Sequence, residues 1–170
     1  MWDKLYPNLW INSIYDLETE LLLERGIKGM LIDMDNTLVP WGCYVADEEV
    51  VKWVEKLKEK GFKLCMVSNS TPSKGKQLSL QLGIPGVWNA VKPRAKAFRR
   101  ALAKLNIKPE ETAVIGDQIF TDVLGGNCLG LFTILVPQLS NRDFAWTKIM
   151  RKLEKKVLQR MELEDKYKQQ

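Results

Sequence analysis

Two carboxylates follow a short apolar segment of this chain, and their spacing allows them to act together. The segment Gly29–Ile32 is a short apolar run after a turn, which predicts a buried strand that ends at Asp33-Met34-Asp35. Side chains two residues apart leave an extended chain on the same side, so Asp33 and Asp35 converge while Met34 points away. Converging carboxylates repel each other unless a cation lies between them or one of them carries a proton. This pair therefore favours Mg²⁺ binding and acid–base chemistry, although Asp residues after a strand also commonly cap a turn or a helix.

Further polar residues follow other predicted strands or precede a helix. One apolar run ends at Gly116 and Asp117, with Asp122 five residues later. Ser68 ends another apolar run, and Lys92 stands just before a predicted helix. The carboxyl ends of parallel strands lie at one edge of a sheet, where such sheets bind ligands, and carboxylates from two strands form an oxygen-rich pocket suited to a hard cation. A single Ser or Lys is usually a solvated loop residue, whereas these groups in this order predict one site.

Strands alternate with helices along the chain, which predicts a parallel sheet covered by helices on both faces. The predicted strands are 29–32, 63–67, 87–90, 112–115 and 131–136. The predicted helices are 16–25, 48–60, 73–82, Pro93 to Leu105, and 120–127. Asp47 is expected to cap the second helix and Gly61 to follow its end, while Asn127 is expected to lie in a turn.

The composition describes an ordinary globular domain of 170 residues, with 45% hydrophobic and 28% charged residues. The chain contains no histidine, which excludes a histidine base, a histidine-containing triad and a histidine-ligated metal. Its three cysteines are widely spaced and form no CxxC pair. This pattern indicates a reducing compartment and argues against a structural zinc site, with Cys65 expected in the core.

Taken together, the motifs resemble those of phosphatases of the haloacid dehalogenase (HAD) superfamily: DxDxT, then Ser or Thr, then Lys, then the acidic GDxxxxD. The match runs from about Gly29 to Val136 and every position is filled. The strings LIDMDNTLVPW, VSNS, VKPRAKAF and GDQIFTDVLGGN resemble the small capless group that includes YqeG-like proteins and phosphatidylglycerophosphate phosphatases. The resemblance implies an α/β fold, a Rossmann-like three-layer sandwich with a central parallel sheet. It also implies that no cap domain is present. In this superfamily a cap is inserted either between the residues that match Asp35 and Ser68 or between those that match Ser68 and Lys92, and neither interval is long enough here.

The resemblance also implies a role for each matched residue. Asp33 is the expected nucleophile, and Asp35 the expected acid that protonates the leaving group and then deprotonates water. Ser68 and Lys92 are expected to act on the phosphoryl group, with Asn69 as a further phosphate-binding candidate. The expected Mg²⁺ ligands are Asp33, the backbone carbonyl of Asp35, Asp117 and Asp122. Thr37 is a supporting candidate, and Trp41 is either a rim residue of the site or a partly buried anchor.

Three segments are predicted along the chain. Residues 1–28 form an N-terminal extension that packs on the core, residues 29–140 form the phosphatase core, and residues 141–170 form a basic amphipathic helix. From Asn141 onward nine lysines and arginines stand against five acidic residues, and apolar residues recur at helical spacing over 144–161. Such a helix is suited to lie on an anionic bilayer, or else to pack against the protein's own core or a second subunit.

The sequence also leads to expectations about location and partners. No run approaches the roughly 18–20 apolar residues that span a bilayer, and the N-terminus lacks the apolar centre of a signal peptide. A cytoplasmic location is expected, with peripheral contact on the inner face of an anionic membrane. The expected partner is a phosphorylated substrate, for which the resemblance points to phosphatidylglycerophosphate. No nucleic acid is expected, and the oligomeric state stays open.

Two alternatives stay open on the sequence alone. The first is a capless phosphatase of a sugar phosphate or another small molecule, with an oligomer supplying the lid, or a phosphatase of phosphoproteins or nucleic-acid ends. The second is a non-catalytic module that docks on a membrane or a ribonucleoprotein through its basic tail. The acids at positions 33, 35, 117 and 122 argue against the second, because a module without catalysis would be free to lose them.

Overall fold

A computed structural model describes residues 2–140, 150 and 152–160, and within these residues six parallel strands form one sheet. The strands are β1 (Leu9–Trp10), β2 (Gly29–Ile32), β3 (Lys63–Val67), β4 (Gly86–Val87), β5 (Thr112–Gly116) and β6 (Phe132–Leu135). Their order across the sheet is β1-β6-β5-β2-β3-β4, and every neighbouring pair is parallel. The predicted α/β fold with a central parallel sheet is confirmed.

Helices connect the strands and complete the layers on either side of the sheet. They are α1 (Thr19–Glu24), α2 (Glu48–Glu59), α3 (Pro72–Leu82), α4 (Ala95–Leu105) and α5 (Leu124–Leu129). A π-helical turn, Ile119–Val123, leads directly into α5. Short 3₁₀ turns lie at Trp2–Leu5, Ile14–Asp16 and Pro109–Glu111.

Different helices cover the two faces of the sheet, because side chains alternate along each strand. Met30 and Ile32 of β2 belong to a core cluster with buried residues of α1, α2 and α3. Leu31, between them, belongs to a second cluster with buried residues of α4. A strand that is covered on both faces has no polar side, which explains why β2 is a continuous apolar run in the sequence.

The ends of α2 follow the capping residues expected from the sequence. The side chain of Asp47 accepts a hydrogen bond from the backbone N–H of Val50 at 2.9 Å, so the predicted N-cap is confirmed. The helix ends at Glu59, and Gly61 follows with a φ of 87°. That left-handed conformation favours glycine and turns the chain toward β3.

Several other predicted boundaries were wrong for local reasons. Helix α4 begins at Ala95, because Pro93 lies in a turn before it. Strand β4 ends at Val87, because Asn89 adopts a φ of 49° that is incompatible with an extended strand. The helix predicted over 120–127 begins one residue earlier, as a π-helical turn, and continues to Leu129.

The N-terminal segment adds an edge strand that the sequence did not predict. Strand β1 pairs with β6, and Leu9 lies opposite Ile134. Two residues are too few for a recognisable alternation of apolar and polar side chains, so this strand carries no signal of its own. The sheet therefore extends into the segment that was predicted as an extension of the core.

The side chain of Asn127 connects this N-terminal segment to the sheet by hydrogen bonds. Asn127 was predicted to lie in a turn. It lies in α5, and its Nδ2 donates to the backbone carbonyls of Lys4 and Tyr6, both at 2.8 Å. Its Oδ1 accepts a hydrogen bond from the hydroxyl of Thr133 in β6 at 3.0 Å. One amide therefore links the N-terminal turn, α5 and β6.

The described part of the C-terminal segment packs against β6 and the π-helical turn. Residues 152–160 are helical, and buried Val157 lies in a third cluster with Ile119, Val123 and Leu135. The other residues of the helix predicted over 144–161, apart from residue 150, lie outside the described residues. Within the described ranges, no helix combines the length and apolar composition that crossing a membrane requires.

Replacing Asn127 by Ala is expected to lower the free energy of unfolding by about 1–2 kcal/mol, since it removes the side-chain donor to two backbone carbonyls and one of two acceptors near the Thr133 hydroxyl. Urea unfolding followed by circular dichroism measures the change. Asn12→Ala is the matched control, because Asn12 is exposed and the structure records no side-chain hydrogen bond for it among the described residues. Equal stability of the two variants would contradict the role given to Asn127.

Candidate active site

The carboxyl ends of β2, β3 and β5 meet at one edge of the sheet. Ile32 of β2 lies opposite Met66 of β3 and Ile115 of β5, so the residues that follow these strands are neighbours. They surround an open cleft. Its lining residues are Asp33, Asp35, Trp41, Ser68, Asn69, Ser70, Thr71, Lys74, Lys92, Gln118 and Thr121. The cleft therefore brings together residues that lie up to 88 positions apart in the sequence.

Three carboxylates adjoin one another at the base of this edge. Oxygen atoms of Asp33, Asp117 and Asp122 all lie within 4.8 Å of one another. The three side chains are buried, with residue exposures of 5%, 4% and 1%. Charged groups so far removed from water are stable only when nearby positive charge or protons compensate them.

Lys92 supplies part of that positive charge. Its Nζ donates to Asp33 Oδ1 at 2.5 Å and to Asp122 Oδ1 at 2.6 Å. The lysine is itself only 8% exposed, so it bridges the two carboxylates away from solvent. One ammonium group nevertheless faces three carboxylates.

The pKa shifts of the cluster reflect this excess of negative charge. Burial raises the pKa of the Asp33 carboxyl well above its ordinary value, and Asp122 and Asp117 raise it further against the opposing effect of Lys92. Burial would lower the pKa of Lys92, but Asp122 and Asp33 hold it above its ordinary value. Both shifts favour proton binding, as expected of a cluster in which negative charge exceeds positive charge. The residues thus fit a divalent cation, and carboxylate oxygens are the ligands that hard cations prefer.

Gly116 and the π-helical turn Ile119–Val123 bring Asp122 to this cluster. A Cβ at position 116 would lie 2.3 Å from Cγ of Asp122, so only glycine leaves room for the carboxylate. Oδ2 of Asp122 accepts hydrogen bonds from the backbone N–H of Gln118 at 3.3 Å and from the hydroxyl of Thr121 at 3.1 Å. These contacts fix the direction in which the carboxylate points.

Asp35 lies apart from the three carboxylates and faces the cleft. Its Oδ2 accepts hydrogen bonds from the hydroxyls of Ser70 at 2.7 Å and Ser68 at 3.3 Å. It is half-buried, and the described acidic cluster does not include its side chain. Only its backbone carbonyl is predicted as a metal ligand, so the side chain remains available for other chemistry.

Two supporting candidates have defined partners. Asn69 accepts a hydrogen bond from the backbone N–H of Lys92 through Oδ1 at 2.9 Å, and this contact holds the Lys92 loop beside β3. The hydroxyl of Thr37 donates to Oδ1 of Asp117 at 3.3 Å. Each of these side chains therefore connects two of the predicted motifs.

Ser70, Gln118 and Thr121 line or support the cleft, and sequence reasoning did not assign them to it. Ser70 lies in the string VSNS that carried the resemblance, so its position was the available signal. The contacts of Gln118 and Thr121 depend on the π-helical turn, which the sequence pattern did not reveal. Trp41 lines the cleft and is partly exposed, which is compatible with a rim residue and with a partly buried anchor.

Neither Cys65 nor an inserted cap domain contributes to the cleft. Cys65 is buried within β3, and burial raises the pKa of its thiol to about 12, so it is not a nucleophile. Between Asp35 and Ser68 the helical and strand elements are α2 and β3, and between Ser68 and Lys92 they are α3 and β4. No cap domain is therefore inserted at either place, and the cleft is open.

Comparisons with known proteins agree with this geometry. The sequence profile of the haloacid dehalogenase-like hydrolase family matches residues 41–130. The chain is 41% identical over 152 residues to the probable phosphatase YqeG of Bacillus subtilis. The aligned region covers 89% of this chain and 88% of that protein. It is 27% identical over 164 residues to phosphatidylglycerophosphate phosphatase 1 of Arabidopsis thaliana. That aligned region covers 91% of this chain but only 47% of the Arabidopsis protein.

A solved structure shares the fold. The cobalt-bound deoxy-D-mannose-octulosonate 8-phosphate phosphatase of Haemophilus influenzae superposes with a TM-score of 0.54 at 16% identity. The match covers 66% of this chain and 69% of that one. The family profile spans more than half of the 170 residues, and the Bacillus relative is similar over nearly the whole length. The chain therefore belongs to the haloacid dehalogenase-like hydrolases, and it is a phosphatase of that superfamily.

Proposed function

We propose that this phosphatase hydrolyses a phosphomonoester in two steps, with Mg²⁺ bound and with a phosphoryl group carried transiently on Asp33. The observation that carries the proposal is the buried cluster of Asp33, Asp117 and Asp122 around Lys92. Phosphate esters resist attack because their negative oxygens repel nucleophiles, so the site must supply positive charge and hold the attacking atom in line. Lys92 supplies one positive charge, the three carboxylates would hold a cation that supplies more, and Asp33 lies at the edge of an open cleft from which it could attack.

The proposed ligands of Mg²⁺ are Asp33, Asp117, Asp122 and the backbone carbonyl of Asp35. When bound, the ion supplies positive charge that offsets the negative phosphoryl oxygens and the carboxylates. Asp33 would ionise more readily with such an ion beside it, because the added positive charge would oppose the burial and the neighbouring acids that raise the pKa of this residue. Lys92 supplies the second positive charge from the chain itself.

In the first step a carboxylate oxygen of Asp33 attacks phosphorus, and the bond between phosphorus and the ester oxygen breaks. Asp35 donates a proton to the departing alkoxide, which leaves as an alcohol. In the second step a water molecule attacks phosphorus and gives its proton to Asp35. The bond between phosphorus and Asp33 breaks, and inorganic phosphate leaves with both carboxyl groups restored.

Ser68, Ser70 and Asn69 fit supporting roles in these steps. Both serine hydroxyls donate to Oδ2 of Asp35, which leaves Oδ1 to carry the transferred proton. The contact from Ser68 is the longer one, so this hydroxyl is the one we expect to turn toward a phosphoryl oxygen. Asn69 accepts from Lys92 through Oδ1, which leaves its Nδ2 group as a donor to phosphate.

We further propose phosphatidylglycerophosphate as the substrate, bound while the protein lies at the cytoplasmic surface of an anionic membrane. The similarity to the Arabidopsis phosphatase supports the choice, and an uncapped cleft admits the head group of a large lipid. Val157 packs on the core, so membrane contact would use the opposite surface of the helix. Lys152, Lys155 and Lys156 are exposed on this helix, and Lys156 lies beside Val157 at the edge of the packed surface.

Asp33→Asn is expected to reduce kcat on p-nitrophenyl phosphate by at least about a thousandfold, because the amide is a poor nucleophile and a weaker metal ligand. The fold should persist, since the two side chains have nearly the same shape. Glu55→Gln, an exposed change of the same chemistry on α2, serves as the control. Wild-type turnover in the Asp33 variant, or in excess chelator, would contradict the mechanism.

Asp35→Asn is expected to separate substrates by their leaving groups. An alkyl phosphate needs a proton to depart, so its turnover should fall by about 10²–10⁴-fold. Nitrophenolate departs without one, so turnover of p-nitrophenyl phosphate should fall by only about tenfold in its first step. Pre-steady-state release of nitrophenol measures that step. Equal losses on both substrates would mean that Asp35 serves the metal or the backbone instead.

Vesicles that contain phosphatidylglycerophosphate test the proposed substrate. Together, the substitutions Lys152→Gln, Lys155→Gln and Lys156→Gln should lower lipid turnover by at least about tenfold, since each surface cation contributes about 1 kcal/mol at best. Turnover of p-nitrophenyl phosphate should stay within about twofold, because these lysines lie outside the cleft. Higher salt should weaken the binding of the wild-type protein to vesicles.

A protein that hydrolyses glycerol phosphate or a sugar phosphate but ignores the lipid would overturn this choice of substrate. That outcome would favour the capless small-molecule phosphatase and leave the two-step mechanism in place. Equal lipid turnover by the wild-type and the triple variant would instead remove the membrane contact from the proposal.

A further inference from the structure

The C-terminal helix places a buried carboxylate against the loop that follows β5. Glu154 is only 4% exposed, although it lies among exposed lysines. Its Oε1 accepts a hydrogen bond from the backbone N–H of Ile119 at 2.7 Å and another from that of Phe120 at 3.3 Å. A charged acceptor makes stronger hydrogen bonds than a neutral one, so these are substantial contacts.

These two N–H groups begin the π-helical turn Ile119–Val123, which carries Asp122. The first N–H groups of a helical segment have no acceptor within it, and Glu154 supplies one from a distant part of the chain. At the other end of the same turn, the backbone N–H of Asp122 donates to the carbonyl of Gln118 at 3.0 Å. The turn is thus held at its first residues by Glu154 and at Asp122 by its own backbone.

Apolar packing reinforces the same junction. Val157, one helical turn after Glu154, is buried against Ile119 and Val123, the first and last residues of the π-helical turn. A carboxylate and an aliphatic side chain of one short helix therefore contact the loop that delivers a carboxylate to the active site.

We propose that Glu154 is a positioning residue of the active site, which acts on the metal through the π-helical turn and Asp122. The inference rests on the proposed function, since it assigns Asp122 to the metal. Without Glu154 the N–H groups of Ile119 and Phe120 lose their acceptor, and the turn opens at its start. Asp122 then leaves the position in which it faces Asp33, Asp117 and Lys92, and the cation is bound more weakly.

Mg²⁺ binding to the full chain, measured by isothermal titration calorimetry, tests the proposal without relying on activity. Glu154→Leu removes the acceptor and should weaken Mg²⁺ binding about 10- to 100-fold, the usual effect of losing a residue that orients a ligand. Glu154→Gln keeps an acceptor oxygen and should stay within about threefold of wild type. Gln159→Leu on the exposed part of the same helix is the control. Amide hydrogen exchange at Ile119 and Phe120 should accelerate in the Leu variant alone.

The outcomes separate this inference from the function on which it rests. A wild-type protein that binds no Mg²⁺ overturns both. Wild-type binding that the Leu variant retains, with slow exchange at both amides, overturns the role of Glu154 alone. Where the Leu variant does not fold, Glu154→Asp decides, because it keeps the charge but shortens the reach of the carboxylate. Unchanged Mg²⁺ binding in a folded Asp variant then overturns the inference, and weakened binding supports it.

Discussion

The structure depends on one electrostatic constraint: three buried carboxylates share one buried ammonium group. Asp33, Asp117 and Asp122 are ionisable groups that water cannot stabilise, and Lys92 compensates only part of their charge. Such a cluster persists only if the scaffold holds its members in place. The parallel sheet does so, because β2 lies between β3 and β5 and all three end at one edge. The deficit of positive charge is also what makes the site suitable for a cation, and a bound cation together with Lys92 would in turn attract an anionic phosphoryl group.

Much of this arrangement could be predicted from the sequence, because its signals are local. Strands β2, β3 and β5 are buried on both faces, so each is a continuous apolar run that the polar residue at its end interrupts. Asp47 could be predicted as a cap because the cap bonds to a residue only three positions away. The convergence of Asp33, Ser68, Lys92 and Asp117 on one edge followed from parallel pairing, which needs no knowledge of side-chain contacts.

The features that could not be predicted depend on distant contacts. Strand β1 is two residues long and exists because β6 offers it an edge. Asn127 is a polar residue in a glycine-rich string, and Glu154 is an acidic residue among lysines. In the sequence, neither can be distinguished from a solvated residue. Each is instead bonded to backbone groups more than 30 positions away. The π-helical turn is likewise invisible, because no residue pattern distinguishes one wide turn from the α-helix that follows it.

The junction between Glu154 and the π-helical turn has a consequence for the order in which the protein folds during synthesis. A chain is made from its N-terminus, and domains begin to fold during synthesis. Asp33, Asp35, Asp117 and Asp122 are all present once residue 122 has been added, and strand β6 is complete at residue 135. The helix that holds the turn is added only afterwards. The nascent chain therefore carries these acidic residues before it carries Glu154, and the contact that holds the π-helical turn forms only after residue 154 has been added.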